Sequence, residues 1–446
     1  MFSDDLNRRL GQALRQAQSR GRVPSVVAGV VRGGELAWAE AVGSGDGRGG
    51  PVAGTDWQYR IGSLTKTFVA VGVLRLADEG LLDLHDQLEQ RLPGTPIGQV
   101  RIIDLLGQCS GIRAETESPW WERSPGKDWP DLEAQLALRG EARGLFHYSN
   151  VGFGVLGRLI TELRGRPWPE ALAAEILAPL GMTRTTIRPQ PPHATGWAVH
   201  PHSDLIMAEP EHDAESMGPA GQLWSTVDDL GRWAHFLHAG NPDVLSEGAR
   251  AAMRIPRALA DLPEEPWTSA YGLGLQIFNV AGRRRYGHGG SMPGFLAALR
   301  LEDNGDAAII LGNTTAGLSS ALADALLDLV AEHAPPDPPV WTADAAQSAG
   351  LELTGTWYWG PAPFELRTAA EGWLELRPHG YGRGSRFRPD GDDRWIGLDG
   401  YYLGEPLVAV RRDGRVHHWD LASFRLTSTP YAPDADLPGG VTTPWS

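Results

Sequence analysis

The stretch His333–Gly350, HAPPDPPVWTADAAQSAG, divides the chain into two parts that follow different rules. It is rich in proline and alanine and carries no hydrophobic period, so it reads as a linker. A chain of 446 residues is in any case too long for one compact core. Before the linker, apolar residues switch between the two-residue period of strands and the 3.6-residue period of helices. After it, only short strand-like runs remain, separated by turns. We therefore assign a mixed domain to 1–333, a Pro/Ala-rich linker to 334–350 and a small all-β domain to 351–446.

In the first part, SVVAGVVRGGELAWAEAVG (25–43) predicts a hairpin across Gly33-Gly34, and Leu6, Leu10 and Leu14 recur at helical spacing among charges. From Ser63 onward, Phe68, Val71 and Leu74 mark a buried helix that Gly80 is placed to stop. Residues 152–163 predict a second buried helix. Residues 225–240 predict a third, with Ser225 or Thr226 as cap and Gly240 as its end. FLAALRLEDNGDAAIILGN (295–313) predicts a hairpin across Asn304-Gly305. In the second part, Asp390-Gly391 and Arg412-Asp413-Gly414 are hairpin turns within a barrel or sandwich.

Composition narrows the partners. A formal net charge of -15 repels phosphate backbones, which argues against nucleic acid. No run approaches 18 consecutive apolar residues, so no transmembrane helix and no membrane partner is expected. The first 25 residues lack the apolar core of a signal peptide, and the single cysteine, Cys109, allows no internal disulfide. Both point to the cytoplasm. Cys109 itself reads as a small buried residue. No metal is expected: His417-His418 lie in a strand-like run without a third ligand at useful spacing. No cofactor is expected either. Seventeen tryptophans serve core packing or an aromatic substrate cleft.

The chemistry begins at YRIGSLTKTF (59–68), where Ser63 and Lys66 lie one helical turn apart. Serine is a poor nucleophile until a base takes its proton, and a lysine with an ordinary pKa is charged at pH 7. Burial would lower that pKa and make Lys66 a general base. A helix N-terminus would add unpaired N–H groups suited to an oxyanion. The same four residues also suit a plain helix cap with a surface lysine. Two further stretches favour the chemical reading: FHYSNVGF, with Tyr148 and Asn150 two apart, and YGHGGSMPGF, with His288-Gly289-Gly290-Ser291 before a strand.

The order S-x-x-K, Y-x-N, H-x-G resembles the penicillin-recognising serine hydrolases: class C β-lactamases, low-molecular-weight DD-peptidases and family VIII esterases. IIDLLGQCSGI, ILAPLGMTRTT and PAGQLWSTVDDLGRWAHFL resemble segments of the same class C-like branch, so the resemblance spans about residues 5–330. It implies an α/β (α+β) catalytic domain with Ser63 as acylated nucleophile. Lys66 and Tyr148 would share proton transfer, with Tyr148 as a phenolate held by Lys66. Asn150 would bind a substrate carbonyl. His288 would begin the strand lining the cleft, Gly289 and Gly290 would let substrate approach it, and the N–H groups of Ser63 and Ser291 would form the oxyanion hole. Two positions depart from the pattern. His288 replaces a lysine, which leans toward uncharged acyl groups and away from β-lactams. Gln108-Cys109 replaces His-Thr, and no role follows from that change.

ETESPWWERSPGKDWP (115–130) lies where the family places a loop over the cleft, so Trp120 and Trp121 are expected to wall an acyl pocket. The C-terminal part, with GTWYWG (355–360), resembles the lipocalin-like barrel attached to many such chains. The implied activity is hydrolysis or transfer through a Ser63 acyl-enzyme on an ester, amide or peptidyl thioester. The layout is similar to penicillin-binding-protein-type thioesterases, which cyclise nonribosomal peptides. That likeness puts a small-molecule or peptidyl substrate, free or carrier-protein-bound, among the expected partners. A simple carboxylesterase, a D-amino-acid peptidase and a catalytically silent binding module are the alternatives. The oligomeric state is left open.

Overall fold

The computed structural model describes residues 2–430 apart from 118, 141–143, 262–263 and 339. Residues 431–446, the end of the predicted β domain, lie outside the described residues. The chain forms two compact units, Met1–Pro336 and Asp337–Ser446.

The first unit is built on an eight-stranded sheet. Its strands are β1 (Ser25–Arg32), β2 (Glu35–Gly43), β3 (Ala258–Leu259), β4 (Ser269–Tyr271), β5 (Gln276–Val280), β6 (Arg283–Met292), β7 (Phe295–Glu302) and β8 (Ala307–Gly312), in the spatial order β2-β1-β8-β7-β6-β5-β4-β3. Both predicted hairpins are present, and Gly33 and Gly34 turn the first with φ of 60° and 83°. The two-residue period of β1 separates two cores. Val26, Ala28 and Val30 face Leu6, Leu10 and Leu14 of α1 (Asp4–Gly21). Val27 and Val31 face the larger core on the other side.

That larger core surrounds α2 (Thr65–Asp78), which is apolar on nearly every face, as a central helix must be. Phe68 stacks on Trp233, with ring centroids 3.8 Å apart. Ser63 does not open the α-helix itself. It sits in a 3₁₀ turn, Gly62–Leu64, that leads into α2. The predicted second helix is α3 (Asn150–Arg164), capped by Ser149 and closed by Gly165. The third is α4 (Val227–Ala239), capped by Thr226, while Ser225 pairs with Tyr59 in a short ladder. The last is α5 (Ala321–His333).

Strand β6 positions the site. It pairs with β7 from Arg285 to Met292, but with β5 only as far as the Gly287–Gln276 pair. His288 to Met292 therefore run past the end of β5 and present a strand edge. The buried guanidinium of Arg285 clamps this strand, reaching Glu302 on β7 at 2.8 Å and Asp324 and Asp328 on α5 at 3.0 and 2.6 Å.

The second unit is a closed barrel of eight antiparallel strands running from Gly355 to Thr427, so the all-β part is a barrel and not a sandwich. Leu366, Leu374, Leu376, Phe387, Leu407, Trp419 and Leu421 fill its interior. Asp413 and Gly414, with φ of 51° and 78°, make the predicted hairpin turn. Residues 345–350, read as linker from their composition, belong instead to a 3₁₀ helix, Ala345–Leu353. Asp344 caps it, Gln347 accepts a 3.2 Å hydrogen bond from Thr368, and Leu353 enters the barrel core. Packing on the barrel, absent from any local pattern, makes this segment regular.

Arg285→Ala removes a buried cation that ties three carboxylates together, leaving Arg283 and Arg300 as their remaining partners. We predict a loss of about 3 kcal/mol or more in denaturant unfolding of the first unit, accompanied by loss of activity.

Candidate active site

The Lys66 side chain is wholly buried at the start of α2. Its Nζ lies 3.0 Å from Ser63 Oγ, 2.7 Å from Asn150 Oδ1 and 2.6 Å from the carbonyl of Ala220. The faces of Tyr148 and Phe153 stand 5.0 and 5.6 Å away. Burial among these groups lowers the Lys66 pKa to about 7, although Glu115 and Glu122 pull the other way. At that value a large share of the amine is neutral near pH 7. A neutral amine has two N–H bonds and one lone pair. The Asn150 and Ala220 oxygens can only accept, so they take both N–H bonds and leave the lone pair for the Ser63 hydroxyl.

Tyr148 directly precedes the cap of α3, and the Ser63 hydroxyl is hydrogen-bonded to it. Its burial pushes the phenol pKa well up, so the hydroxyl stays protonated. The Lys66 amine lies over the ring face of Tyr148, and its hydrogen bonds go to Ser63, Asn150 and Ala220. Gln108 steadies the segment. It accepts from the Ser149 N–H at 2.7 Å and donates to the Ser149 carbonyl at 3.3 Å. The substitution that had no role in the sequence thus holds the backbone between Tyr148 and Asn150. Cys109, beside it, is buried as expected, and burial raises its thiol pKa.

His288 is buried as well. Desolvation first, and the Lys66 charge second, hold its pKa near 3, so the imidazole is neutral. Its Nδ1 meets the Gly289 carbonyl, and its Nε2 lies 3.0 Å from the Tyr271 hydroxyl. The carbonyl can only accept, which places the ring proton on Nδ1 and makes Nε2 the acceptor. Both nitrogens are engaged. His288 stands in the wall of the cleft, on the strand where the sequence placed it.

The turn bearing Ser63 meets β6 backbone to backbone. Gly62 has φ of 51°, and a Cβ there would fall 2.5 Å from the Ser291 nitrogen; a Cβ on Gly290 would fall 2.0 Å from the Ile61 carbonyl oxygen. Glycine at 290 thus serves the fold. Gly289, where a Cβ would meet little, faces open space, and Gln276 holds its N–H at 3.0 Å. Ser63, Tyr148, His288, Gly289, Gly290 and Ser291 line one cavity of about 330 Å³ together with small and aliphatic side chains. No Asp, Glu, Lys or Arg is among its lining residues.

Asn150 is not among the lining residues of this cavity; its Oδ1 meets Lys66 and its Nδ2 side is partly exposed. Trp120 and Trp121 are not in the cavity's lining. Trp120 is exposed, lies over Arg123 and donates to Glu122 at 2.9 Å. Trp121 is buried and donates its indole N–H to Glu115 Oε2 at 2.8 Å. The other oxygen of Glu115 accepts from Asn150 Nδ2 at 2.5 Å. Glu115, Gln108, Tyr271, Gln276 and the Ala220 carbonyl are the site groups that sequence reasoning missed.

Known proteins are similar to this chain in sequence and fold. The beta-lactamase family model matches residues 10–333, and a domain of unknown function, DUF7586, matches residues 346–428. The putative penicillin-binding protein PbpX of Bacillus subtilis (strain 168) is 25% identical over 63% of this chain and 68% of its own length. A D-stereospecific amidohydrolase from Streptomyces sp. is 26% identical, with a TM-score of 0.61 over 74% of this chain and 99% of that one. The D-amino acid amidase from Ochrobactrum anthropi SV3, complexed with D-phenylalanine, is 26% identical, with a TM-score of 0.64 over 74% and 99%. Among the described residues no helix is long and apolar enough to cross a membrane. The family match takes in every group placed around Ser63, and this chain belongs to the beta-lactamase family as a serine hydrolase of its penicillin-binding-protein-like kind.

Proposed function

We propose that the chain forms a covalent acyl-enzyme on Ser63 and cleaves small amides and esters whose acyl side chain is uncharged where it enters the cavity, with D-amino-acid amides and short peptides as the preferred class. The observation that carries this reading is the buried Lys66 amine, 3.0 Å from Ser63 Oγ and within 2.7 and 2.6 Å of two pure acceptors that take its N–H bonds once it is neutral. The likeness to the two D-specific amide hydrolases supports the substrate class. The uncharged lining of the cavity supports a neutral side chain on the acyl part.

Ser63 Oγ attacks the carbonyl carbon while its proton passes to Lys66 Nζ. The N–H groups of Ser63 and Ser291, brought together by the Gly62 contact, receive the oxyanion. Collapse breaks the bond to the leaving amine or alcohol. The proton taken from Ser63 reaches that leaving group, with the neutral Tyr148 hydroxyl as relay. Water then repeats the sequence on the acyl-enzyme and releases the acid. Asn150 keeps one Nδ2 hydrogen beyond its bond to Glu115, and a substrate carbonyl takes it. Cyclisation of a carrier-bound peptidyl thioester shares the acylation step and differs only in having an amine, not water, resolve the acyl-enzyme.

Two outcomes test this. Mixed briefly with D- and L-amino-acid amides, short-chain aryl esters, a penicillin and peptidyl thioesters, the wild type gains the mass of an acyl group or turns over, and Ser63→Ala does neither. Preference for D-amides supports the substrate class, and a cyclic product from a thioester would replace it with peptidyl transfer. Second, kcat/KM falls as pH drops through about 7, because Lys66 must be neutral to accept the proton. The rate rises to a plateau above that pH, with no contribution from His288 until near pH 3. Lys66→Arg, charged at every working pH, loses about 100-fold or more in kcat throughout.

A further inference from the structure

A carboxylate and an indole outside the cavity decide what Lys66 meets. The two ends of an asparagine amide have nearly the same shape, so its neighbours choose its orientation. Asn150 sits between Lys66 Nζ at 2.7 Å and Glu115 at 2.5 Å. A carboxylate can only accept, so it draws the NH₂ end and turns Oδ1 toward Lys66. Glu115 is in turn held by the indole of Trp121, a donor only, at 2.8 Å on its second oxygen. Trp121 is buried and fixed in place. The backbone adds a tether, since the Asn150 N–H donates to the Ala114 carbonyl at 2.9 Å.

We infer that Glu115, clamped by Trp121, is a positioning residue that fixes the Asn150 amide with its oxygen toward Lys66 and thereby aims the Lys66 lone pair at Ser63. This rests on the reading of Lys66 as general base. With the amide reversed, Asn150 N–H groups would confront the Lys66 N–H bonds. Lys66 would lose one of its two pure acceptors, and an N–H would turn to Ser63 Oγ in place of the lone pair. The charged groups that act on Lys66 are Glu115 and Glu122, with neutral His288 and Tyr148 the other titratable side chains beside it.

The arrangement has a consequence that a merely structural carboxylate lacks. Glutamine at 115 offers one oxygen to two donors, the Trp121 indole and the Asn150 amide. Bound to Trp121, it presents its own NH₂ to Asn150 and reverses that amide. Removing the indole donor frees the glutamine oxygen for Asn150. The test measures the single-turnover acylation rate with an aryl ester, together with thermal unfolding, for wild type, E115Q, W121F, E115Q/W121F and Ser63→Ala. We expect E115Q to lose about 10- to 100-fold. W121F alone should lose less, and the double variant should be faster than E115Q. Because Glu115 is exposed, added formate should also restore Glu115→Ala, whereas formamide, which carries a donor, should restore less. The inference is overturned if E115Q acylates within about threefold of wild type, or if neither the double variant nor formate restores the rate. Acylation surviving in Ser63→Ala would instead overturn the reading of Ser63 on which the inference rests.

Discussion

The chemistry of this chain depends on the burial of one amine. Lys66 is enclosed by α2, the rings of Tyr148 and Phe153, and the carbonyl of Ala220. A buried ammonium is costly, and the protein meets that cost partly with three oxygen partners and partly by allowing the proton to leave. The balance matters. An ion pair with a close carboxylate would keep the proton on Lys66 and end its use as a base. The acidic groups that act on it, Glu115 and Glu122, contribute less than desolvation does, and Glu115 contacts Asn150 instead of the amine. The site is thus charged at one remove and neutral at contact.

The second requirement is that two stretches of backbone touch. Ser63 can share a site with Ser291 only because Gly62 and Gly290 carry no Cβ at the crossing. This makes the register of β6 a functional quantity. A slip of one residue against β7 would exchange the two faces of the strand and take His288 out of its bond to Tyr271. The Arg285 network guards against such a slip, tying the strand to β7 and α5 through three carboxylates. The early end of β5 then leaves the strand edge open. Stability in one part of the sheet and access in the next are consequences of the same pairing pattern.

Much of this was legible in the sequence, for local reasons. Helices and hairpins followed from period and turn chemistry, as at Gly33-Gly34 and Asn304-Gly305. The order of the three motifs brought Ser63, Lys66 and Tyr148 together because each lies on an element with a strong local signal. What escaped depends on distant contacts. Glu115 and Gln108 act through residues 35 and 41 positions away. The protonation of Tyr148 and the engaged nitrogens of His288 follow from burial and from partners on other elements. The indoles of Trp120 and Trp121 donate to Glu122 and Glu115, and nothing local says which way an indole faces. One signal was available and unused. Of the 40 Lys and Arg residues only two are lysines, Lys66 and Lys127. Arginine cannot serve as a base, so in a chain that uses it almost everywhere a buried lysine marks a position where the proton must be able to leave.

That same scarcity makes the central claim directly measurable. With ¹³C-labelled lysine the protein gives ε-methylene signals from two residues, and Lys127→Arg assigns them. The chemical shift of the Lys66 signal, followed against pH in the absence of substrate, reports its protonation without reference to activity. The account predicts a midpoint of about 7. A midpoint near the ordinary lysine value of about 10.4 would mean that the amine is charged at working pH. The base would then have to be sought elsewhere around Ser63.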